Sequence, residues 1–171
     1  MNEISEIYGS IKRLAETIVL KCSERGLKVT AAESCTGGMI SAAITSVSGS
    51  SSVIEAGVCS YSNRIKREVL GVSARTLDEL TEYSEQCAEE MARGALNLSG
   101  ADFAVSTSGV AGPTGGTEEN PVGTVYFGVC GKDNDYTITE RHVFRNSGRD
   151  GIRAEATEQA LVLLLEVINK I

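Results

Sequence analysis

Apolar positions recur at three- and four-residue steps from Ile4 through Ile7, Ile11 and Leu14 to Ile18, which predicts an amphipathic helix over 3–25 closed by Gly26. The pattern then changes to a continuous apolar run over 27–32, the mark of a buried strand. A helix beginning near Thr36 or Gly37 buries Ile40, Ala43, Ile44 and Val47, and a polar loop comes next over 48–52. Residues 53–60 predict a second buried strand with Ile54, Ala56 and Val58 on one face. Asn63 is placed to cap a short helix over 64–70, Ser73 to start another reaching Leu80, and Ser84 to start a longer one. That longer helix turns Ala88, Met91, Ala95 and Leu98 inward and stops before Gly100. A third strand spans 102–108, and a Gly- and Thr-rich stretch runs to Asn120. Residues 122–130 then pair with 136–145 as a hairpin through the turn Lys132-Asp133-Asn134-Asp135. Asp150 is expected to cap the last helix, whose stripe is Ile152, Ala156, Ala160, Leu163, Leu164, Val167 and Ile168.

Alternating strands and helices followed by a hairpin define an α/β fold, a three-layer α/β/α sandwich with a mixed sheet of about five to six strands. The 171 residues are expected to form one domain, 1–171, without internal repeat or linker. Composition narrows the function. A net charge of −7 with scattered basic residues argues against a nucleic-acid partner. No apolar run approaches the roughly 20 residues that span a bilayer, and Met1 to Glu6 lack the pattern of a signal peptide, so a cytoplasmic protein with no membrane partner is expected. Five cysteines far apart, with no C-x-x-C, fit reduced and mostly buried thiols. With His142 the one histidine, a zinc site is not expected, and any Ser-His or Cys-His scheme would have to use that residue.

Ligands of open α/β sheets sit beyond the carboxyl ends of the strands. Three polar clusters fall there, Ser34 to Gly38, Ser60 to Lys66 and Thr107 to Thr117, and a fourth, Ser147 to Asp150, leads into the last helix. In the first, Ser34 stands beside the backbone N–H groups of Cys35 to Gly38, an arrangement suited to a nucleophile and an oxyanion, or simply to a helix cap. Cys35 at a helix start is a second nucleophile to consider, or a buried bystander. Lys66 lies early in a helix, where the dipole disfavours a cation; if desolvated as well, its neutral amine can take a proton from Ser34. Tyr61 either packs in the core or positions a proton. The stretch 107–117 has no G-K-[ST] and is not a P-loop, yet supplies donors for a phosphate or ribose. Arg149 and Arg153, four apart, are candidate phosphate partners. His142, in mid-strand, reads as structural.

Three motifs carry a family resemblance. They are Ala32-Glu33-Ser34-Cys35-Thr36-Gly37-Gly38, Tyr61-Ser62-Asn63 with Lys66, and Ser108-Gly109-Val110-Ala111-Gly112-Pro113 continuing to Pro121-Val122-Gly123-Thr124-Val125. In this order, over nearly the whole chain, they resemble the CinA C-terminal domain family, whose characterised members are nicotinamide-nucleotide amidases. The chain is similar to the stand-alone form, without the molybdopterin-binding-like domain that CinA carries in front. The resemblance implies a Ser/Lys amidohydrolase acting on nicotinamide mononucleotide, with no cofactor or metal. It makes Ser34 the nucleophile, Lys66 the general base and Tyr61 a neighbour of the pair. The oxyanion would be held by N–H groups near Thr36, Gly37 and Gly38. The remaining substrate contacts would come from Ser51, Asn63, Ser108, Gly109, Gly112 and Arg149. Ser108 stands where many members have threonine, and Ser147-Gly148 replaces a Gly-Asp before Arg149. A homo-oligomer is compatible with the family, though no apolar surface stripe marks an interface. Two other readings stand beside the amidase: a non-catalytic nucleotide-binding or competence/damage-associated interaction module, and a cysteine amidase using Cys35 and His142.

Overall fold

The computed structural model describes residues 3–132, 136–145 and 148–170. The first helix, α1 (Glu3–Arg25), ends as the periodicity predicts, and β1 (Val29–Glu33) comes after it, buried along its whole length. Next are α2 (Met39–Thr45), a 3₁₀ turn at Ser50–Ser52, β2 (Ile54–Cys59) and α3 (Asn63–Leu70). A π-helical turn (Thr76–Leu80) leads to α4 (Glu85–Ser99), β3 (Phe103–Gly109), β4 (Thr124–Gly131), β5 (Thr137–Val143) and α5 (Gly148–Lys170).

The five strands form one sheet in the order β2-β1-β3-β4-β5, parallel across β2, β1 and β3 and antiparallel beyond. Helices cover both faces. On one, Ile11 and Ile18 of α1, Ile40 and Ile44 of α2 and the α5 stripe pack on Val29, Ala31, Val105, Phe127 and Val129. On the other, Leu70 and the α4 residues Cys87, Met91 and Ala95 pack on Ala32, Ala104 and Cys130. Each large side chain so buried contributes about 1.5–3 kcal/mol, and the central strands are apolar on both faces because both are covered. The helix that carries Lys66 is seated very closely: a Cβ on Gly94 of α4 would lie 1.9 Å from the Leu70 carbonyl oxygen.

Several local expectations are corrected. Residues 54–59 form an edge strand with alternating half-buried and exposed positions, not a buried one, because among the described residues nothing pairs beyond β2 in the sheet. Ser62, extended at φ −108° and ψ 152°, caps α3 in place of Asn63, its Oγ accepting from the Ile65 N–H. Asp150 lies inside the first turn of α5 rather than capping it. Leu98 is exposed, and Leu96 takes the inward position. Residues 133–135 of the expected hairpin turn, and Ser147, lie outside the described residues. Among the described residues, no helix is long and apolar enough to cross a membrane.

Candidate active site

Parallel pairing of β1 with both β2 and β3 carries the ends of all three strands to one rim, and β5, antiparallel to β4, ends there too. Just past β1, Ser34 donates its N–H to the Thr107 carbonyl at 2.9 Å, while the Glu33 carbonyl accepts the Ser60 N–H at 2.8 Å. The serine is thus held by continued ladders on both sides. From α3, Lys66 reaches back with its amine 2.9 Å from Ser34 Oγ and 2.8 Å from the Ser60 carbonyl. Its side chain is 1% exposed, and among the described residues it has no salt bridge.

Burial holds the Lys66 amine below the ordinary lysine value of 10.5, since a charge there lacks water. Cys87, Glu82 and Cys35 pull the other way when charged. The two thiols are themselves pushed up by burial, to about 12 and about 11, and are uncharged near neutral pH, which leaves Glu82 as the opposing group. In the neutral amine the 2.9 Å contact reverses: the Ser34 hydroxyl donates to the nitrogen lone pair while an N–H stays on the Ser60 carbonyl. The shift also affects stability. Between the lowered pKa and 10.5, the unfolded chain holds the extra proton, so unfolding free energy rises with pH in that window. The slope is at most about 1.4 kcal/mol per pH unit. Urea unfolding across pH should show this rise in the wild type and lose it in Lys66→Met.

A cavity of about 190 Å³ opens beside the pair, lined by Ser34, Cys35, Tyr61, Asn63, Lys66, Glu82, Tyr83, the loop residues 109–112, 114 and 115, and Arg149. Tyr61 is 64% exposed, at the rim rather than in the core, and its hydroxyl accepts from Arg149 at 3.0 Å. Arg149 also donates to the Gly112 carbonyl at 2.7 Å, tying the glycine-rich loop to α5. Asn63, freed from capping, donates to Glu82 Oε2 at 3.1 Å.

In the turn after β1, some of the donors that the resemblance assigns to the oxyanion already have partners. Gly37 donates its N–H to the Ser34 carbonyl at 3.1 Å and Gly38 to Glu33 Oε2 at 2.9 Å. Thr36 Oγ1 lies 2.8 Å from both Glu33 Oε2 and Thr107 Oγ1. Gly38 sits at φ 99°, where a side chain would be strained. The organiser is Glu33, which is fully buried. Its carboxylate accepts from Gly38, Ile40 and Ser41 N–H and from the hydroxyls of Thr36 and Ser41, capping α2. Thr36 and Gly38 therefore serve this cap, Gly37 closes the turn onto the Ser34 carbonyl, and none of the three lines the cavity.

Two further expected contacts are also relocated. Ser51 precedes β2, so it lies near the start of the strands, about 16 Å along a five-residue strand from the Ser34 rim. Ser108 lies at the correct end of β3 but is fully buried, its Oγ donating to the Glu82 carbonyl at 2.7 Å. Arg153, considered with Arg149, instead holds the Cys35 and Thr36 carbonyls at 3.2 and 3.1 Å. His142 is on β5, bonded to Glu140 and stacked on Phe144. Glu33 is legible in principle, as a charged residue ending an apolar strand just before a helix. Glu82 and Tyr83 have no such signal. Among the described residues, no three His, Cys, Asp or Glu side chains converge as a metal site.

Fold and site define an α/β protein with a buried serine–lysine pair at the carboxyl rim of a mixed sheet. The chain belongs to the CinA C-terminal domain family, whose sequence profile matches residues 11–168. It is 48% identical over 164 residues to the nicotinamide-nucleotide amidohydrolase PncC of Enterobacter agglomerans, a match covering 94% of this chain and 99% of that one. It is 42% identical to a CinA-like protein of Chlorobium limicola, where the match covers 92% of this chain but 38% of the relative. The crystal structure of the competence/damage inducible protein CihA from Agrobacterium tumefaciens superposes with a TM-score of 0.90 at 39% identity, covering 94% of this chain and 96% of that one.

Proposed function

We propose that this chain is a cytoplasmic, metal-independent Ser/Lys amidohydrolase that converts nicotinamide mononucleotide to nicotinate mononucleotide and ammonia. The observation that carries this reading is the buried contact of the Lys66 amine with Ser34 Oγ at 2.9 Å. The PncC name of the Enterobacter agglomerans relative supports the substrate. Neutral Lys66 takes the Ser34 proton as Oγ bonds to the carboxamide carbon. The C–N bond then breaks, and ammonia leaves with the proton that Lys66 returns. A water, deprotonated by the same amine, attacks the ester, and Ser34 departs with its proton restored. With the N–H groups of Gly37 and Gly38 engaged, donors for the oxyanion are assigned to the backbone of Ala111, Gly112, Thr114 and Gly115, which line the cavity.

The cavity is smaller than the ~300–1,000 Å³ of most ligand sites, so it suits the ring and carboxamide, with ribose and phosphate at the exposed rim. Arg149 is the phosphate partner in this arrangement. The alternative direction is a cleft of about 910 Å³ lined by Glu79, Glu82, Glu85, Glu118 and Glu119, which repels a phosphate. The test is ammonia release from nicotinamide mononucleotide by purified protein with chelator present. Tight binding without product over long incubation would instead identify a non-catalytic nucleotide-binding module.

Cys35→Ser should keep ammonia release within about threefold. The Cys35 thiol is raised to about 11, so almost no thiolate is present at neutral pH. His142 is on β5, three strand spacings or about 14 Å from β1. Loss of turnover in this variant would restore the cysteine mechanism.

A further inference from the structure

We propose that Glu82, together with the rings of Tyr61 and Tyr83, is the counter-ion for a cationic pyridinium ring, and so makes the site select oxidised nucleotides over those with a neutral ring. This rests on the function proposed above and assigns a specificity-determining residue to it.

Among the described residues lining the cavity, Glu82 is the one carboxylate. It makes no salt bridge among the described residues, and its side chain accepts from the neutral Asn63 amide. Lys66 must be neutral to act as a base, and Arg149 is engaged at the rim with the Gly112 carbonyl and the Tyr61 hydroxyl, so among the described residues no cation pairs with Glu82. A ligand that brings a positive ring supplies what is missing. Tyr61 and Tyr83 add two aromatic rings to the same cavity, and the electron-rich face of a tyrosine attracts a flat cation.

The carboxylate is also held in place. Ser108 Oγ fixes the Glu82 carbonyl at 2.7 Å. The preceding residue, Thr81, is at φ 67° and ψ 171°, a region that is essentially glycine territory, and it is braced there. Its Oγ1 accepts the Tyr83 N–H at 3.2 Å, and its carbonyl accepts from Ser84 Oγ at 3.0 Å. A β-branched residue kept in such a conformation beside a cavity fixes the direction of the next residue, Glu82. Charge is thereby segregated within one site, with Arg149 at the exposed rim and Glu82 beside the base. The same polarity runs along a pyridinium mononucleotide, from anionic phosphate to cationic ring.

The test uses Ser34→Ala, in which binding is read without turnover, alone and combined with Glu82→Gln, which keeps the side chain's size and removes its charge. Calorimetric titration compares nicotinamide mononucleotide with its dihydropyridine form, identical but for a neutral ring. In Ser34→Ala the charged ring should bind about tenfold more tightly than the neutral one, and Glu82→Gln should abolish that preference by weakening the charged ligand alone. The neutral ligand, bound within twofold in both proteins, reports that the variant is folded. Equal affinities in Ser34→Ala, or equal weakening of both ligands by Glu82→Gln, overturn the inference and leave the amidase standing. Failure of Ser34→Ala to bind either nucleotide, with no ammonia released by the wild type, overturns both.

Discussion

Ser34→Ala and Lys66→Met should each lower ammonia release from nicotinamide mononucleotide by about 10⁴-fold or more, with Lys66→Met at least as stable as the wild type at neutral pH. The first half reflects the pair acting as a unit: without Oγ there is no acyl-enzyme, and without the amine the hydroxyl keeps its proton. The second half is specific to Lys66. The amine is buried, lacks a salt bridge among the described residues and is held below its ordinary pKa, so it costs stability that an unbranched apolar chain of similar length does not. Thermal unfolding beside a coupled ammonia assay checks both halves. A folded Lys66→Met protein with near-normal turnover would remove the general base; a large fall in its melting temperature would show that the amine is a structural tie instead.

Glu33→Ala should be the most destabilising single change at the site, by about 3–5 kcal/mol. That corresponds to a fall in melting temperature of roughly 6–20 °C for a chain of this size. Five donors converge on this carboxylate, three from backbone N–H groups and two from hydroxyls, and the residue is fully buried. Alanine leaves all five in a space that water must enter or that stays unsatisfied. Because Ser34 is the next residue, turnover should fall along with stability. Differential scanning calorimetry of the variant gives the measurement, and a shift below about 1 kcal/mol would mean that α2 is capped in some other way.

The helices are legible in the sequence because their signal is local. Ile11 and Ile18 in α1, and Ile152 through Ile168 in α5, point inward on a 3.6-residue period whatever they pack against. Strand β1 is equally clear, since cover on both faces leaves no polar position in its middle except Thr30, whose hydroxyl bonds the Ala56 carbonyl. Edge status is not legible for β2, because an apolar alternation looks alike whether or not another strand pairs beyond it. Leu98 misleads for a related reason: an exposed leucine at helical spacing has the same sequence signature as a buried one.

At the site, Ser34, Tyr61, Asn63, Lys66 and Arg149 stand out in the sequence and all line one cavity. Each comes just after a strand or begins a helix, where polar residues are conspicuous. Thr36, Gly37 and Gly38 look like free donors, since glycines before a helix signal open N–H groups; the acceptor that occupies Gly38 is a carboxylate on the strand before it. Glu82 and Tyr83 have the sequence signature of an ordinary turn between helices, and nothing local distinguishes them.

The elements, most of their buried faces and the residue types competent for serine–lysine chemistry are set locally, because periodicity, caps and apolar runs act over a few residues. That Lys66 meets Ser34, that Glu33 takes the Gly38 N–H and the Thr36 hydroxyl, and that Ser51 lies at the far rim follow from the assembled sheet. Those outcomes depend on strand order and direction, which set which distant donors and acceptors meet without water between them.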